Sequence, residues 1–326
     1  MNNDLERFIQ FTESDIFNKD RRIESDLYPV TLGGYSLLEF CCYHGAVDCF
    51  KFLRTKFNSE ITRKCLELSF LGGNPDIMSG CLKYQKPNKY CMENAIISHN
   101  IDFVTFMMNE YNIDIDLNHC GQYHNLESFF VCFDQTNDFN KCLFYSSIFD
   151  IPSVCEYFLS HGADINGKDE DGDTALYIAA RYNCPETTEF LISHGININE
   201  AGDRALQTAA SYNCKETAEV LISHDININK KDEYGKAPLH LAALSNCAET
   251  AEVLISHGAN INKKDGSGET ALHIVSWNNS PETAEVLISH GANINEKNKD
   301  GLTALQIAVQ NRSKKAEKVL ISYGAN

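Results

Sequence analysis

The sequence predicts an all-α solenoid: stacked helix pairs, joined in the second half of the chain by short β-hairpin fingers. Three observations carry that prediction. One helix-ending motif recurs six times at almost constant spacing, a second motif interleaves with it, and the chain exceeds what one compact core supports. It has 326 residues, whereas single cores stop growing at about 250–300 residues. A repeat array escapes this limit because each unit packs only on its neighbours.

The helix-ending motif reads LSHGADIN at His161, LISHGININ at His194, LISHDININ at His224 and LISHGANIN at His257 and His290. The last copy, LISYGAN, has Tyr323 in the histidine place. Successive spacings are 33, 30, 33, 33 and 33 residues. Between them run DTALYIAA, DRALQTAA, KAPLHLAA, ETALHIVS and LTALQIAV. A 33-residue period carrying a T-P-L-H-like motif resembles the ankyrin repeat. The resemblance spans Gly162 to Asn326 and implies five ankyrin repeats over residues 163–326.

Each unit is physically consistent with that reading. Thr174, Thr270 and Thr303 precede a short helix and offer a hydroxyl to its orphan amides. Leu176, Ile178, Ala179 and Ala180 are small or aliphatic, so helices approach closely. PETTEFLI, KETAEVLI, AETAEVLI and PETAEVLI form a second helix with apolar residues at helical spacing, as in Ala251, Val253, Leu254 and Ile255. Pro185 and Pro281 occupy its first turn, where a missing N–H costs nothing, and the glycine of HGA provides a left-handed stop. Polar loops such as KKDEYGK and EKNKDGL suit the fingers.

Before residue 160 the pattern is looser. CLFYSSIFDIPSVCEYFLSHG still reads as two helices with Pro152 opening the second, so residues 126–162 are a degenerate ankyrin-like repeat. Further upstream stand LLEFCCYHGAVDCFKFL, LELSFLGGNPDIMSGCL and MENAIISHNIDFVTFMM, each an apolar helix, a turn and another apolar helix. Their turn aspartates Asp48, Asp76 and Asp102 are 28 and 26 residues apart, too close for fingers. Residues 31–125 are therefore read as degenerate helix pairs stacked without them. This half resembles the N-terminal region found ahead of ankyrin repeats in large parasitic-protist families, which brings no known activity. Residues 1–30 are expected to form a cap with a flexible start, and Asn109 to Asn125 a long loop.

Composition narrows the function. With 45 acidic and 28 basic residues the formal charge is −17, spread at about −9 before residue 158 and about −8 after it. No basic half tracks a phosphate backbone, so nucleic acid is not the expected partner. Thirteen cysteines lie between Cys41 and Cys247 without a CxxC pair, a pattern of free thiols in a reducing compartment rather than of zinc. The N-terminus lacks a signal-peptide pattern, and no run approaches the ~18 apolar residues of a membrane span. A cytoplasmic protein is expected, with the nucleus as the other possibility.

No site chemistry emerges. The histidine row His161, His194, His224, His257 and His290 offers one ligand per repeat where a metal needs three or four, so it reads as framework, as do His240 and His273. GKDEDGDTALYI has Gly167 and Ile178 where a calcium loop needs acids. Phosphate-loop, GxSxG, HExxH and kinase motifs are missing, and Cys42 beside His44 says nothing about geometry. No catalytic residue, metal or cofactor is expected.

The ankyrin resemblance implies that a protein partner binds the concave face formed by finger tips and first helices. Aligned there are Glu170, Asp171 and Asp173, then Glu233, Tyr234 and Lys236, then Ser267 and Glu269, and lastly Lys299, Asp300 and Leu302. The first-helix ends supply Arg181 with Tyr182, Tyr212, Leu244, and Trp277. Trp277 is the only tryptophan, at a place its neighbours fill with Arg181, Ser211, Leu244 and Gln310. A core-filling residue would not tolerate such exchange, whereas interface hot spots favour Trp, Tyr and Arg.

Two local features complete the reading. From Asn166 to Leu176 there are ten steps but from Asn199 to Leu206 only seven, so EAGDRAL predicts a missing finger tip and a notch beside Tyr212, Tyr234, Leu244 and Trp277. In the last second helix Glu317 replaces Ala284, Lys314 replaces Pro281 and Lys318 replaces Glu285. With Arg312 and Lys315 they predict a solvated capping face, hence a monomer. The competing readings are a structural protein that stacks end to end, which needs an open apolar end, and an enzyme.

Overall fold

The computed structural model describes residues 4–14, 16–18, 21–24 and 34–326, and twenty-one helices and no strand occur among them. The expected boundary at residues 30–31 lies outside the described residues. Two compact units divide the chain, Met1–Asn137 and Asp138–Asn326.

The first unit begins with α1 (Leu5–Thr12) and continues as four helix pairs. These are α2 (Leu37–Tyr43) with α3 (Val47–Lys56), α4 (Arg63–Leu71) with α5 (Pro75–Leu82), α6 (Lys89–Ile97) with α7 (Ile101–Tyr111), and α8 (Leu117–Gln122) with α9 (Leu126–Thr136). First helices stack on first helices, α2 on α4 and α4 on α6. Polar caps start the helices: Ser36, Thr62, Asn74, Asn88, Asn100, Asp116 and Asn125 each accept a first-turn amide. The same side chains tie one pair to the next. Asn125 is buried and donates through Nδ2 to Ile96 O at 2.9 Å. The loop expected from Asn109 to Asn125 is corrected: α7 runs to Tyr111 and α8 starts at Leu117. Asp116 caps a turn whose Leu117, Cys120 and Gly121 are buried, three apolar positions at helical spacing.

The second unit pairs α10 (Phe139–Ser146) with α11 (Pro152–Ser160), and α12 (Ala175–Arg181) with α13 (Pro185–Ser193). Next come α14 (Ile198–Ser211) with α15 (Lys215–Ser223), and α16 (Pro238–Ser245) with α17 (Ala248–Ser256). The last pairs are α18 (Ala271–Asn278) with α19 (Pro281–Ser289), and α20 (Ala304–Gln310) with α21 (Lys314–Ser322). Leu176, Leu206, Leu239 and Leu272 with their flanking alanines form one continuous core, because a small residue at each contact lets the helices close up.

Two ladders of asparagine join the repeats. After the first helices α12, α14, α16 and α18 stands a left-handed residue, Asn183, Asn213, Asn246 or Asn279, a conformation asparagine tolerates. Their Oδ1 atoms accept the first-turn amides of the following repeat's second helix, at Thr217, Thr250, Thr283, and Lys315 with Ala316. In the loops, Asn166 accepts from the Asn197 amide, Asn229 from Asn260, Asn262 from Asn293 and Asn295 from Asn326. The step from Asn199 to Asn227 makes no such bond.

That gap falls where the finger is missing. Each other finger is a tight turn closed by one backbone bond: Asp169 N to Asp173 O, Asp232 N to Lys236 O, Asp265 N to Glu269 O and Asn298 N to Leu302 O. Among these fingers only the first carries a β-bridge, between Lys168 and Thr174. At the third repeat the chain instead folds EAGDRAL into α14, fourteen residues long. Glu317 departs in part from expectation. Ala218, Ala251 and Ala284 at its place are fully buried, whereas Glu317 is half-buried, its Oε2 3.5 Å from Lys314 Nζ.

Candidate functional site

Three large apolar side chains stand in water at the C-terminal ends of consecutive first helices. Tyr212 caps α14 and is 51% exposed, Leu244 near the end of α16 is 45% exposed, and Trp277 near the end of α18 is 46% exposed. Their helices stack directly, α14 on α16 and α16 on α18, so the three stand at successive helix ends. Leu244 and Trp277 occupy equivalent places, and Tyr212 stands one residue beyond Ser211, which fills that place on α14. The indole of Trp277 is held: Nε1 donates to Glu269 Oε1 at 2.7 Å. Arg181, the last residue of α12, lies with its guanidinium 5.1 Å from the Tyr212 ring and 5.9 Å from Tyr182. Tyr182 itself is half-buried and packs against the core.

The finger residues are placed differently. Tyr234 projects from its finger, 68% exposed, with Lys236 Nζ 5.9 Å over its ring. Glu233 and Asp171 are exposed at finger tips, and the Asp171 amide donates to Asp169 Oδ1. The structure thus joins Arg181, Tyr182 and Tyr212 into one group and Trp277 with Glu269 into another, and leaves Tyr234, Glu233 and Asp171 separate.

The expected notch is corrected. α14 occupies the place of the lost finger, and Arg204 Nη2 meets the buried carboxylate of Asp173 at 2.5 Å. Arg204 also lies 5.2 Å from the Tyr177 ring, and Lys168 pairs with Glu200 at 2.5 Å. Burial pushes the Asp173 carboxyl up from the usual range, with Arg204 opposing. The remaining hollow, about 150 Å³, faces Thr174 and Tyr177 rather than Tyr212 and Tyr234. A larger one of about 740 Å³ opens between α10 and the first finger, lined by Phe144, Tyr145, Asp169, Glu170 and Asp171. Sequence reasoning missed Phe144 and Tyr145, since the degenerate repeat offered no register in which to place them.

The histidines act as helix ends. Nδ1 of His161, His194, His257 and His290 lies within hydrogen-bond distance of the carbonyl four residues back. His224 instead pairs through Nε2 with Glu189 at 2.9 Å. His240 and His273 are buried: Nδ1 accepts the amide of Ala237 or Thr270, and Nε2 donates to Lys263 O or Leu302 O of the next loop. Burial pulls both rings below their ordinary pKa and keeps them neutral.

All thirteen cysteines are buried free thiols. Burial pushes Cys41 up to about 12 and Cys214 to about 11. Cys184, Cys214 and Cys247 donate to carbonyls of Ile148, Arg181 and Ser211 in the preceding repeat. Among the described residues no three His, Cys, Asp or Glu side chains converge to hold a metal, and no helix is long and apolar enough to cross a membrane.

Comparison with known proteins adds the family context. Models of ankyrin repeats match residues 152–192, 199–265 and 254–308, so ankyrin repeats are recognised through most of the second unit. A model of a domain of unknown function, DUF3447, matches residues 57–132. The crystal structure of an ankyrin repeat domain from Acinetobacter baumannii is 28% identical, covers 56% of this chain and 98% of that chain, and has a TM-score of 0.47. No curated protein matches the chain.

Proposed function

We propose that this ankyrin-repeat chain is a non-catalytic scaffold or adaptor that holds a protein partner on the concave face of its second unit. The observation that supports it most is the exposed row Tyr212, Leu244 and Trp277. Three successive helix ends present a large apolar group to water, at equivalent places on α16 and α18 and one residue further along on α14. Such rows on soluble proteins mark interaction sites. Arg181, Tyr182, Tyr234, Asp171, Glu233 and Glu269 surround it as the remaining contact residues.

Residues 31–125 and 126–162 serve in this reading as helix-pair extensions of the array, and the half before the regular repeats as the region that precedes ankyrin repeats in large parasitic-protist families. Buried free thiols suit a reducing compartment, cytoplasmic or nuclear, and we read the protein as a monomer that engages neither nucleic acid nor membrane. A photo-crosslinking amino acid at Leu244 should give adducts with a cellular protein that the same group at Glu252, an exposed second-helix position, does not give. Equal adducts at both places, or none at Leu244, would remove the concave face from the account.

A further inference from the structure

We infer that the partner segment is cationic and amphipathic, with apolar side chains seated on Tyr212 and Leu244 and a lysine or arginine at the Trp277–Glu269 pair. The inference rests on the concave-face reading above and adds the chemistry of what binds there. Two independent features carry it, the spacing of the apolar row and the state of the charges around it.

One apolar group stands at each successive helix end, in register at Leu244 and Trp277 and one residue on at Tyr212, and packed helices lie about 8–10 Å apart. A partner helix covers that distance in about five to seven residues at 1.5 Å each, and positions about seven apart return to the same face. Apolar residues one repeat apart on such a segment meet Leu244 and Tyr212 together, and the third position reaches Trp277. There the chemistry changes. Glu269 accepts the indole N–H through one oxygen and forms no ion pair among the described residues. The bond also fixes the ring, half-exposed, beside the carboxylate. A guanidinium or ammonium group placed there gains a charge-assisted hydrogen bond and an aromatic face at once. A carboxylate there would meet Glu269 in repulsion.

The surrounding charges point the same way. Cations on this face are already engaged: Arg204 with Asp173 at 2.5 Å, Lys236 with Asp265 at 3.8 Å, Lys299 with the Gly266 carbonyl at 2.6 Å, and Arg181 over Tyr212. By contrast Asp171 and Glu233 are exposed at finger tips and, among the described residues, pair with no cation. The face offers free carboxylates and no free cation among these groups, in a chain of net charge −17. Complementarity of that kind selects a basic partner and speeds its encounter.

The test uses the full chain and a phage-displayed library of random 16-residue peptides, selected in parallel on wild type and on Trp277→Ala. Peptides enriched on wild type and lost on Trp277→Ala should carry an excess of Lys and Arg with apolar residues seven apart. The winning peptide, made synthetically, should perturb the emission of Trp277, the only tryptophan. It should bind about 30-fold more weakly to Trp277→Ala, lose affinity to Glu269→Gln, and weaken as salt rises. Winners that depend on Trp277 but are neutral or acidic overturn the cationic partner and leave the concave face standing. Winners that bind both proteins equally, or no winner at all, overturn both readings.

Discussion

The repeat of α12 and α13 keeps its finger, whereas the repeat of α14 and α15 has lost it, and the two sit side by side on the same core. In the first, Thr174 caps a seven-residue helix and the finger closes through Asp169 and Asp173. In the second, three residues fewer leave too little chain for that turn, and the helix extends backward to Ile198. The extension forfeits the Thr cap and the Asn199 tie to the next loop. It gains Arg204 on Asp173 and Glu200 on Lys168. The lesson is that the buried helices are the frame and the fingers an elaboration that the chain replaces with local hydrogen bonding when length runs short.

If the frame is common to both repeats, its loss should cost the same in each. Leu176 and Leu206 occupy equivalent places and both are fully buried. Leu176→Ala and Leu206→Ala should each lower stability by about 2–5 kcal/mol, read as a lower urea midpoint of Trp277 emission. A Leu206→Ala cost under half that of Leu176→Ala would show that the fingerless repeat is a weaker joint.

Arg204 is the substitute for a finger, and removing it should come next in size. Arg204→Met leaves Asp173 buried without its cation, at a cost of about 1–2 kcal/mol at neutral pH, discounted because the guanidinium is itself half exposed. The folded Asp173 carboxyl already sits above its ordinary range, and loss of Arg204 raises it further. A raised acid favours its neutral form in the folded state, so the deficit is present at neutral pH and shrinks as pH falls toward the unfolded value near 3.8. A deficit that stays constant from pH 7 to pH 4 would remove the ion pair from the explanation.

The regular repeats should show an acid sensitivity of their own. His240 and His273 are held neutral by burial and bridge to the next loop. Their folded pKa lies below the ordinary 6.5, so the unfolded chain takes up protons first. Stability is full above that pH and declines as pH falls through it. Gln306 already performs the amide-accepting part of this role in the last repeat, as Gln207 does the bridging part from α14. The double variant His240→Gln, His273→Gln should therefore keep neutral-pH stability and flatten the decline, as measured by melting temperature from pH 7.5 to 5.

Much of this fold is legible in the sequence, for identifiable reasons. The period near 33 and the SHG and TAL motifs with their variants mark most of the helices after residue 160, because the same caps and small residues solve the same packing problem in each regular repeat. The long α14 is written there too: Ile198, Ala201, Gly202, Ala205, Leu206 and Ala209 recur at helical spacing. Alignment to finger-bearing neighbours masked it, since a deletion suggests a shorter loop before it suggests a longer helix. In the first unit α8 was hidden because six residues are too short a window for periodicity. The candidate row was legible only where the frame was regular, at Tyr212, Leu244 and Trp277. The pairing of Trp277 with Glu269 needed coordinates, because eight residues and a turn separate the partners.

The asparagine ladder offers a finer contrast. Asn262 accepts the Asn293 amide at 2.8 Å, whereas Asn199 at the equivalent place is on the first turn of α14 and ties nothing. Asn262→Ala should cost about 1 kcal/mol. Asn199→Ala should be neutral or slightly stabilising, since alanine is the better helix former. Equal costs at the two sites would mean that the ladder is not what joins the loops.

The smallest effect belongs to the residue given the largest role in binding. Trp277→Ala should change stability by no more than about 0.5 kcal/mol, the range of surface substitutions. The side chain is half-exposed at the end of α18, and its one hydrogen bond goes to Glu269, which is itself half-buried and regains water when the indole leaves. Substituted position by position, Arg181, Leu244 and Gln310 stand at the same place in other repeats without disturbing the stack. Because the variant removes the emission probe, the comparison is made by circular dichroism melting of both proteins. A loss of 2 kcal/mol or more would assign Trp277 to the frame, shared by finger-bearing and fingerless repeats alike, and would leave the exposed row without its leading member.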